Sequence, residues 1–259
     1  IPFIQLLIYN NLIYFKFLLP HDKDYFALKL IFNKNEKNSF LDVGGNIGIS
    51  TLGFRQLGFN KNDILIFEPD EYLFSKYLVK IRNKQKKIKI FNFGLSNKNQ
   101  NLDLFRAFYQ NIFIHFNNSF DLNYLKNKIK ENYPENYKSF SYKKKKFVLK
   151  KFDDLNIHKK ISFIKIDVEG LDHLVIKGMK KLIIKQKPVF LIEFNKSNFK
   201  IIYDFFKKKY DCYIYMLEKN YLKKILLKDL NKIKNFQTPD IQYTKNSFNI
   251  YFIPKDHIF

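Results

Sequence analysis

Three short runs of this 259-residue chain place acids where a strand stops, and each is of a kind that binds or reacts. The first, Phe40-Leu41-Asp42-Val43-Gly44-Gly45-Asn46-Ile47-Gly48, reads as an apolar strand that reaches an acid and then turns tightly at glycines, where a ligand can approach the backbone closely. A dinucleotide turn would carry glycine at its first, third and sixth places. Counted from Gly44, those places hold Gly44, Asn46 and Ile49, and no Gly-Lys-Ser/Thr follows to cradle a triphosphate. An acid before a glycine turn suits instead a cationic, nucleoside-bearing ligand with an amino-acid tail. The second run, Leu65-Ile66-Phe67-Glu68-Pro69-Asp70, ends a strand in a carboxylate able to accept from both hydroxyls of a ribose at the sheet edge. The same acid would also suit the N-terminus of a following helix.

The third run is Phe163-Ile164-Lys165-Ile166-Asp167-Val168-Glu169-Gly170. Strand alternation puts Lys165 and Asp167 on one face. A lysine inside an apolar strand is costly to bury unpaired, so a carboxylate must meet it, with Asp167, Glu169 and Glu193 as candidates. Glu193 ends the run Phe190-Leu191-Ile192-Glu193, so three acids converge at one edge. Such a cluster could take the proton of a reacting hydroxyl, hold magnesium together with water, or only fix the strand ends. The sequence leaves the metal open. His173, off the apolar stripe of the next helix, is either a further base or an exposed side chain.

These residues need a frame that brings strand ends together. From Ser39 onward, short apolar runs alternate with helical spacing, the pattern of strand-helix-strand units. Ser39–Val43, Ile64–Phe67, Ile88–Phe93, Ile161–Ile166 and Val189–Phe194 read as strands buried on both sides. Leu73, Phe74, Tyr77, Leu78 and Ile81 predict a helix, and Leu171, Leu174, Val175, Gly178, Met179, Leu182 and Ile183 predict another at regular three- and four-residue steps. A helix over Phe199–Lys209 and strands over Cys212–Leu217 and Ser247–Pro254 would close the sheet. Residues 107–146, polar and interrupted by Pro134, break the alternation and read as an insertion into a domain spanning 39–259. Such an insertion is either a lid with a part in substrate choice or a surface loop. Residues 1–38 read as a helical lead-in.

The formal charge of +23 suggests nucleic acid, but it is made of 44 Lys against 3 Arg, in a chain with 28 Asn and 2 Ala. Lys, Asn, Ile, Phe and Tyr share AT-rich codons, so the skew follows base composition. Arg is the forked phosphate reader and Lys a looser point charge, which argues for a solvated lysine coat and against nucleic acid as the partner. The single cysteine, Cys212, forms no internal disulfide, and a cytosolic setting is expected. The apolar stretch 1–19 is interrupted by Gln5, Asn10, Asn11 and Lys16 and lacks a basic leader region and a cleavage site. It reads as a packed helix, with peripheral contact to a membrane surface as the other reading and no transmembrane segment.

Taken together, DVGGNIG (Asp42–Gly48), FEPD (Phe67–Asp70), GLS (Gly94–Ser96), FDDL (Phe152–Leu155) and above all FIKIDVEG (Phe163–Gly170) resemble the FkbM-type S-adenosylmethionine-dependent methyltransferases. The resemblance covers about residues 40–195. It implies an α/β, Rossmann-like, doubly wound sheet of seven strands, mostly parallel with an antiparallel last strand. It further implies that Asp42, Gly44, Asn46 and Gly48 hold the methionine part of S-adenosylmethionine, Glu68 the ribose and Ser96 the adenine side. Asp167 would then stand near the transferred methyl, with Asp167, Glu169 and Glu193 as the candidates, from the residues themselves, for the base or a magnesium ligand. Gly45 stands where many relatives have Ala, and Asp172 where Glu is usual. An exocyclic-amine methyltransferase would carry Asn-Pro-Pro-Tyr or a relative after the fourth strand, where this chain has Asp-Val-Glu-Gly, which argues against that class; the resemblance itself implies a hydroxyl acceptor on a glycan or natural product. The rival expectation is a non-catalytic, basic-surface protein of the same fold engaging anionic lipid or nucleic acid.

Overall fold

The computed structural model describes residues 20, 22–168, 170–194, 198–227 and 249–257. A 3-10 turn, Lys23–Ala27, runs into α1 (Leu28–Ile31). β1 (Ser39–Val43) passes through the glycine turn into α2 (Ile49–Gln56). β2 (Asp63–Phe67) leads to a helix in three registers: α3 (Glu71–Leu73), a π turn (Phe74–Leu78) and α4 (Val79–Lys84). β3 (Ile88–Phe91), β4 (Gly94–Ser96), β5 (Gln100–Tyr109), β6 (Ile112–Ser119), α5 (Leu122–Asn132) and β7 (Phe140–Lys151) follow. The chain continues through β8 (Ile161–Ile166), α6 (Asp172–Gly178), α7 (Lys180–Gln186), β9 (Val189–Glu193), α8 (Phe199–Phe206), β10 (Tyr210–Met216), β11 (Tyr221–Ile225) and β12 (Asn249–Pro254).

The main sheet runs β3-β2-β1-β8-β9-β12-β10-β11. Its first five strands are parallel, and β12 lies antiparallel between β9 and β10. Eight strands stand where seven were expected. The addition is β11, which returns from β10 as an antiparallel hairpin at the sheet edge. Its sequence, Tyr-Leu-Lys-Lys-Ile, is short and broken by two lysines, so no apolar run announces it.

Both faces of the sheet are covered, as the apolar strands require. Along β1, Phe40 faces one core with Phe163, Phe54, Leu78 and Tyr25, whereas Leu41 and Val43 face the other with Ile164, Val175, Ile176 and Phe206. The period of two places Asp42 and Lys165 on the Phe40 side, toward α2.

Residues 94–151 build a second sheet, β4-β7-β5-β6. β5 and β6 form a hairpin closed at Gln110-Asn111, both at positive φ, as two-residue hairpin turns require. α5 closes the open side with Leu125 and Ile129 against Ala107 and Ile114. The lysine run 143–146 lies within β7, whose outer face is solvated.

The helix expected over 171–183 is two helices that meet at Met179. Gly178 explains how closely the first of them docks: a Cβ there would stand 2.0 Å from the Ser96 carbonyl oxygen. Gly178→Ala is therefore expected to push α6 away from β4 at a cost of about 1–3 kcal/mol, which a urea titration against the parent protein would read. An unchanged midpoint would show that this approach is not constrained.

The residues before β1 are tied to β12. Tyr251 donates to the Asp24 carbonyl at 2.8 Å and Asn249 to the Asp24 carboxylate at 3.1 Å. The apolar stretch 1–19 lies outside the described residues. Among those described, no helix is long and apolar enough to cross a membrane.

Candidate functional site

The parallel strand ends are stitched to one another through the glycine turn. Gly44 and Gly45 both donate to the Phe67 carbonyl, at 3.0 and 3.1 Å, and the Asp167 amide donates to the Val43 carbonyl at 3.0 Å. Gly44 adopts φ +86°, and a Cβ at that position would lie 1.9 Å from the Asp167 carbonyl oxygen, so only glycine lets β1 and β8 finish side by side.

Glu68 closes the turn from the other side. Its Oε2 accepts the Asn46 amide at 2.7 Å and its Oε1 the Asp70 amide at 2.8 Å, while Asn92 donates to its carbonyl at 3.1 Å. The side chain is 5% exposed. Burial pushes its carboxyl up to about 8, against the pull of the two amides. An ionised carboxylate has about four acceptor sites, so two remain for hydroxyl donors.

Asp42 lies beneath the turn with no exposed surface. Its Oδ2 accepts from the Thr51 hydroxyl at 2.7 Å, and its Oδ1 has no hydrogen-bond partner among the described residues. Burial raises its pKa, opposed by Lys165, its register neighbour on β8. Lys165 is 3% exposed and donates to Asp167 Oδ2 at 2.9 Å. Burial lowers the pKa of Lys165, but Asp167 and Asp42 together outweigh it and hold the ammonium above its ordinary value. The Asp167 side chain, 40% exposed, is thus anchored on one oxygen and open to solvent.

Of the other expected site residues, Gly48 ends the turn at φ +84°, and Ser96 is fully buried in β4, where its hydroxyl accepts from Gln100 at 3.3 Å. Glu193 ends β9 next to β8. Glu169 lies outside the described residues. Among the described residues no group of three or more His, Cys, Asp or Glu side chains is placed to hold a metal ion. His173 sits in α6, its pKa lowered by burial and then by Lys177.

Three contributors have no role assigned by the motifs, although Asp172 stands out as a departure from the usual Glu. Asp172 and Asn198 brace the loop after β8: Asn198 donates to the Gly170 carbonyl at 3.0 Å and to Asp172 at 3.3 Å, and the Val168 amide donates to Asp172 at 3.3 Å. Burial, then Asp167, raises Asp172 to about 6. His115, on the β5–β6 hairpin, meets the glycine turn: its Nδ1 lies 2.9 Å from Asn46 Oδ1, and Asn46 Nδ2 donates to its carbonyl at 3.1 Å. The second sheet therefore covers the site. No local signal ties a histidine to an asparagine 69 residues earlier.

The family model of the methyltransferase FkbM domain matches residues 42–215. No curated protein sequence matches the chain. Among solved structures, the chain is similar to methyltransferase FkbM from Methylobacillus flagellatus KT, with 16% identity, 88% of this chain and 47% of that chain covered, and a TM-score of 0.51. It is also similar to precorrin-6y C5,15-methyltransferase from Geobacter metallireducens GS-15, with 9% identity, 89% and 86% coverage, and a TM-score of 0.43. The chain spans about half the length of the FkbM structure it matches. The matched residues take in the glycine turn, Glu68, the second sheet and the Lys165–Asp167 pair, and the chain belongs to the FkbM methyltransferase domain family.

Proposed function

We propose that the chain is an S-adenosylmethionine-dependent methyltransferase that modifies a hydroxyl of a glycan or natural-product acceptor. The observation that carries the cofactor is Glu68, a buried carboxyl at the end of β2 whose ionised form, reached by releasing its proton as the ligand binds, has acceptor capacity left beyond its two backbone partners. The donor set suits the ligand: a ribose diol donates to Glu68, and the glycine turn admits an amino-acid tail, with Asp42 carrying negative charge from beneath. When bound, S-adenosylmethionine supplies an activated methyl group and departs as a thioether. The remaining work is alignment and proton removal.

Asp167 is suited to the second task. Lys165 fixes one of its oxygens, and the exposed remainder accepts the hydroxyl proton as the acceptor oxygen bonds to carbon. Calorimetric titration with S-adenosylhomocysteine tests the cofactor: micromolar binding, about 8 kcal/mol, is expected, and a folded sample that binds none overturns the reading. Asp167→Asn is expected to bind S-adenosylhomocysteine as the parent does while losing methyl transfer to whichever hydroxylated acceptor the parent turns over by about 100-fold or more. Retained turnover would remove Asp167 from proton transfer.

A further inference from the structure

A cavity of about 310 Å³ lies between the helix that follows Glu68 and the β5–β6 hairpin. Its inner boundary touches the site already described. His115 is bonded to Asn46 of the glycine turn, and Arg106 forms an ion pair with Asp70, two residues beyond Glu68. Asn46 in turn lies two residues from Gly44, which backs directly onto Asp167.

Two features set this cavity apart from a gap between layers. The first is the backbone of its helical wall. Lys76 and Tyr77 stand in the π turn, Phe74–Leu78, between two α segments, and single π turns of this kind recur at functional sites. The second is its charge. The Arg106 guanidinium is answered by Asp70 and lies 5.0 Å from the Phe113 ring centroid. Lys76 has no carboxylate partner among the described residues. Its ammonium donates to the Tyr72 phenol oxygen at 2.6 Å and sits 4.9 and 5.5 Å from the Tyr72 and Tyr77 ring centroids. The bond to the Tyr72 oxygen, against a smaller effect of burial, raises the Lys76 pKa, so the cation persists at neutral pH. Tyr72, 43% exposed, meets Phe113 edge-on across the opening at 5.8 Å. The cavity thus offers aromatic faces, which cover the C–H face of a ring, and one cation that no described acid neutralises.

We propose that this cavity is the acceptor site, and that it selects a hydroxylated ring carrying an anionic group, carboxylate or phosphate. Lys76 holds the anion, and Tyr72 and Phe113 cover the ring. This assignment rests on the cofactor reading above, because a transfer site must adjoin the cofactor cradle.

The test is calorimetry on the full chain, with and without saturating S-adenosylhomocysteine, using glucuronic acid, glucose 6-phosphate, glucose and inorganic phosphate as probes. At least one of the two charged sugars is expected to bind about tenfold or more tightly than glucose, and the better of the two identifies the anion as carboxylate or phosphate. Lys76→Met should abolish that preference and leave the affinity for S-adenosylhomocysteine unchanged. Tyr72→Ala should weaken the charged sugars without changing inorganic phosphate. Equal binding of glucose and both charged sugars, or inorganic phosphate binding as tightly as glucose 6-phosphate, would overturn the proposal. So would the absence of saccharide binding in protein that does bind S-adenosylhomocysteine, or a loss of that cofactor product's affinity in Lys76→Met, which would give the cavity to the cofactor. If S-adenosylhomocysteine does not bind, the cofactor reading fails by itself, and the probes without it still report on the cavity.

Discussion

Lys165→Met is expected to destabilise the fold by roughly 3–5 kcal/mol at neutral pH, the range seen when one partner of a buried ion pair is removed. The loss arises from what the lysine leaves behind. Asp42 would remain fully buried with Thr51 as its side-chain donor, and Asp167 would lose the contact that orients it. The sign of the pH dependence follows. Burial already holds the Asp42 pKa above its ordinary value while Lys165 pulls it down; without Lys165 it rises further. Acidification then protonates Asp42, removes the uncompensated charge and shrinks the penalty. Adding Asp42→Asn to Lys165→Met should recover much of the loss at neutral pH. Urea titrations of both variants across pH decide the matter; an equal loss at every pH with no rescue would mean the pair does not carry this energy.

Glu68→Ala is expected to weaken S-adenosylhomocysteine binding about 100-fold or more, since two hydrogen bonds to a charged acceptor are lost at about 1.5 kcal/mol or more each. The Asn46 and Asp70 amides also lose their acceptor, so the turn loosens. The parent protein should show a linked proton. Hydroxyl donors favour the ionised carboxylate, and ligand binding below about pH 8 must therefore release a proton, so affinity rises toward pH 8 and levels off above it. Without ligand the sign for stability is the reverse. The folded state keeps a proton that the unfolded chain releases near 4.5, so Glu68's contribution to stability falls as pH climbs from there to about 8. Calorimetry in buffers of differing ionisation enthalpy measures the released proton, and a pH-independent affinity in the parent would contradict the assignment.

The parts of this structure that were legible in the sequence are those governed by local pattern. Near-continuous apolar runs gave the parallel strands, and the cost of burying a lone lysine pointed to an acid beside Lys165, which the structure shows to be Asp167. What escaped was set by distant contacts. β11 pairs only because β10 offers an edge, and β7 accepts four consecutive lysines because its outer face meets water. The apolar spacing of Leu73, Phe74, Tyr77, Leu78 and Ile81 is the same for an α-helix as for one with a π turn, since it records a buried side and not the hydrogen-bond register. The burial of Asp42 and the reach of His115 to Asn46 depend on which strands become neighbours, which residue types do not state.

The position of β12 bears on the order in which the chain can fold. It is the last strand described, yet it lies between β9 and β10, both of which precede it. Until it is synthesised, β9 presents an unpaired edge and the β10–β11 hairpin has no place on the sheet. Tyr251 of the same strand also bonds to the Asp24 carbonyl, 227 residues away, so its contact closes a long loop. A nascent chain therefore carries the open β9 edge while the residues between Glu193 and Asn249 are made, and β12 both closes that edge and joins the parallel strands to the β10–β11 hairpin.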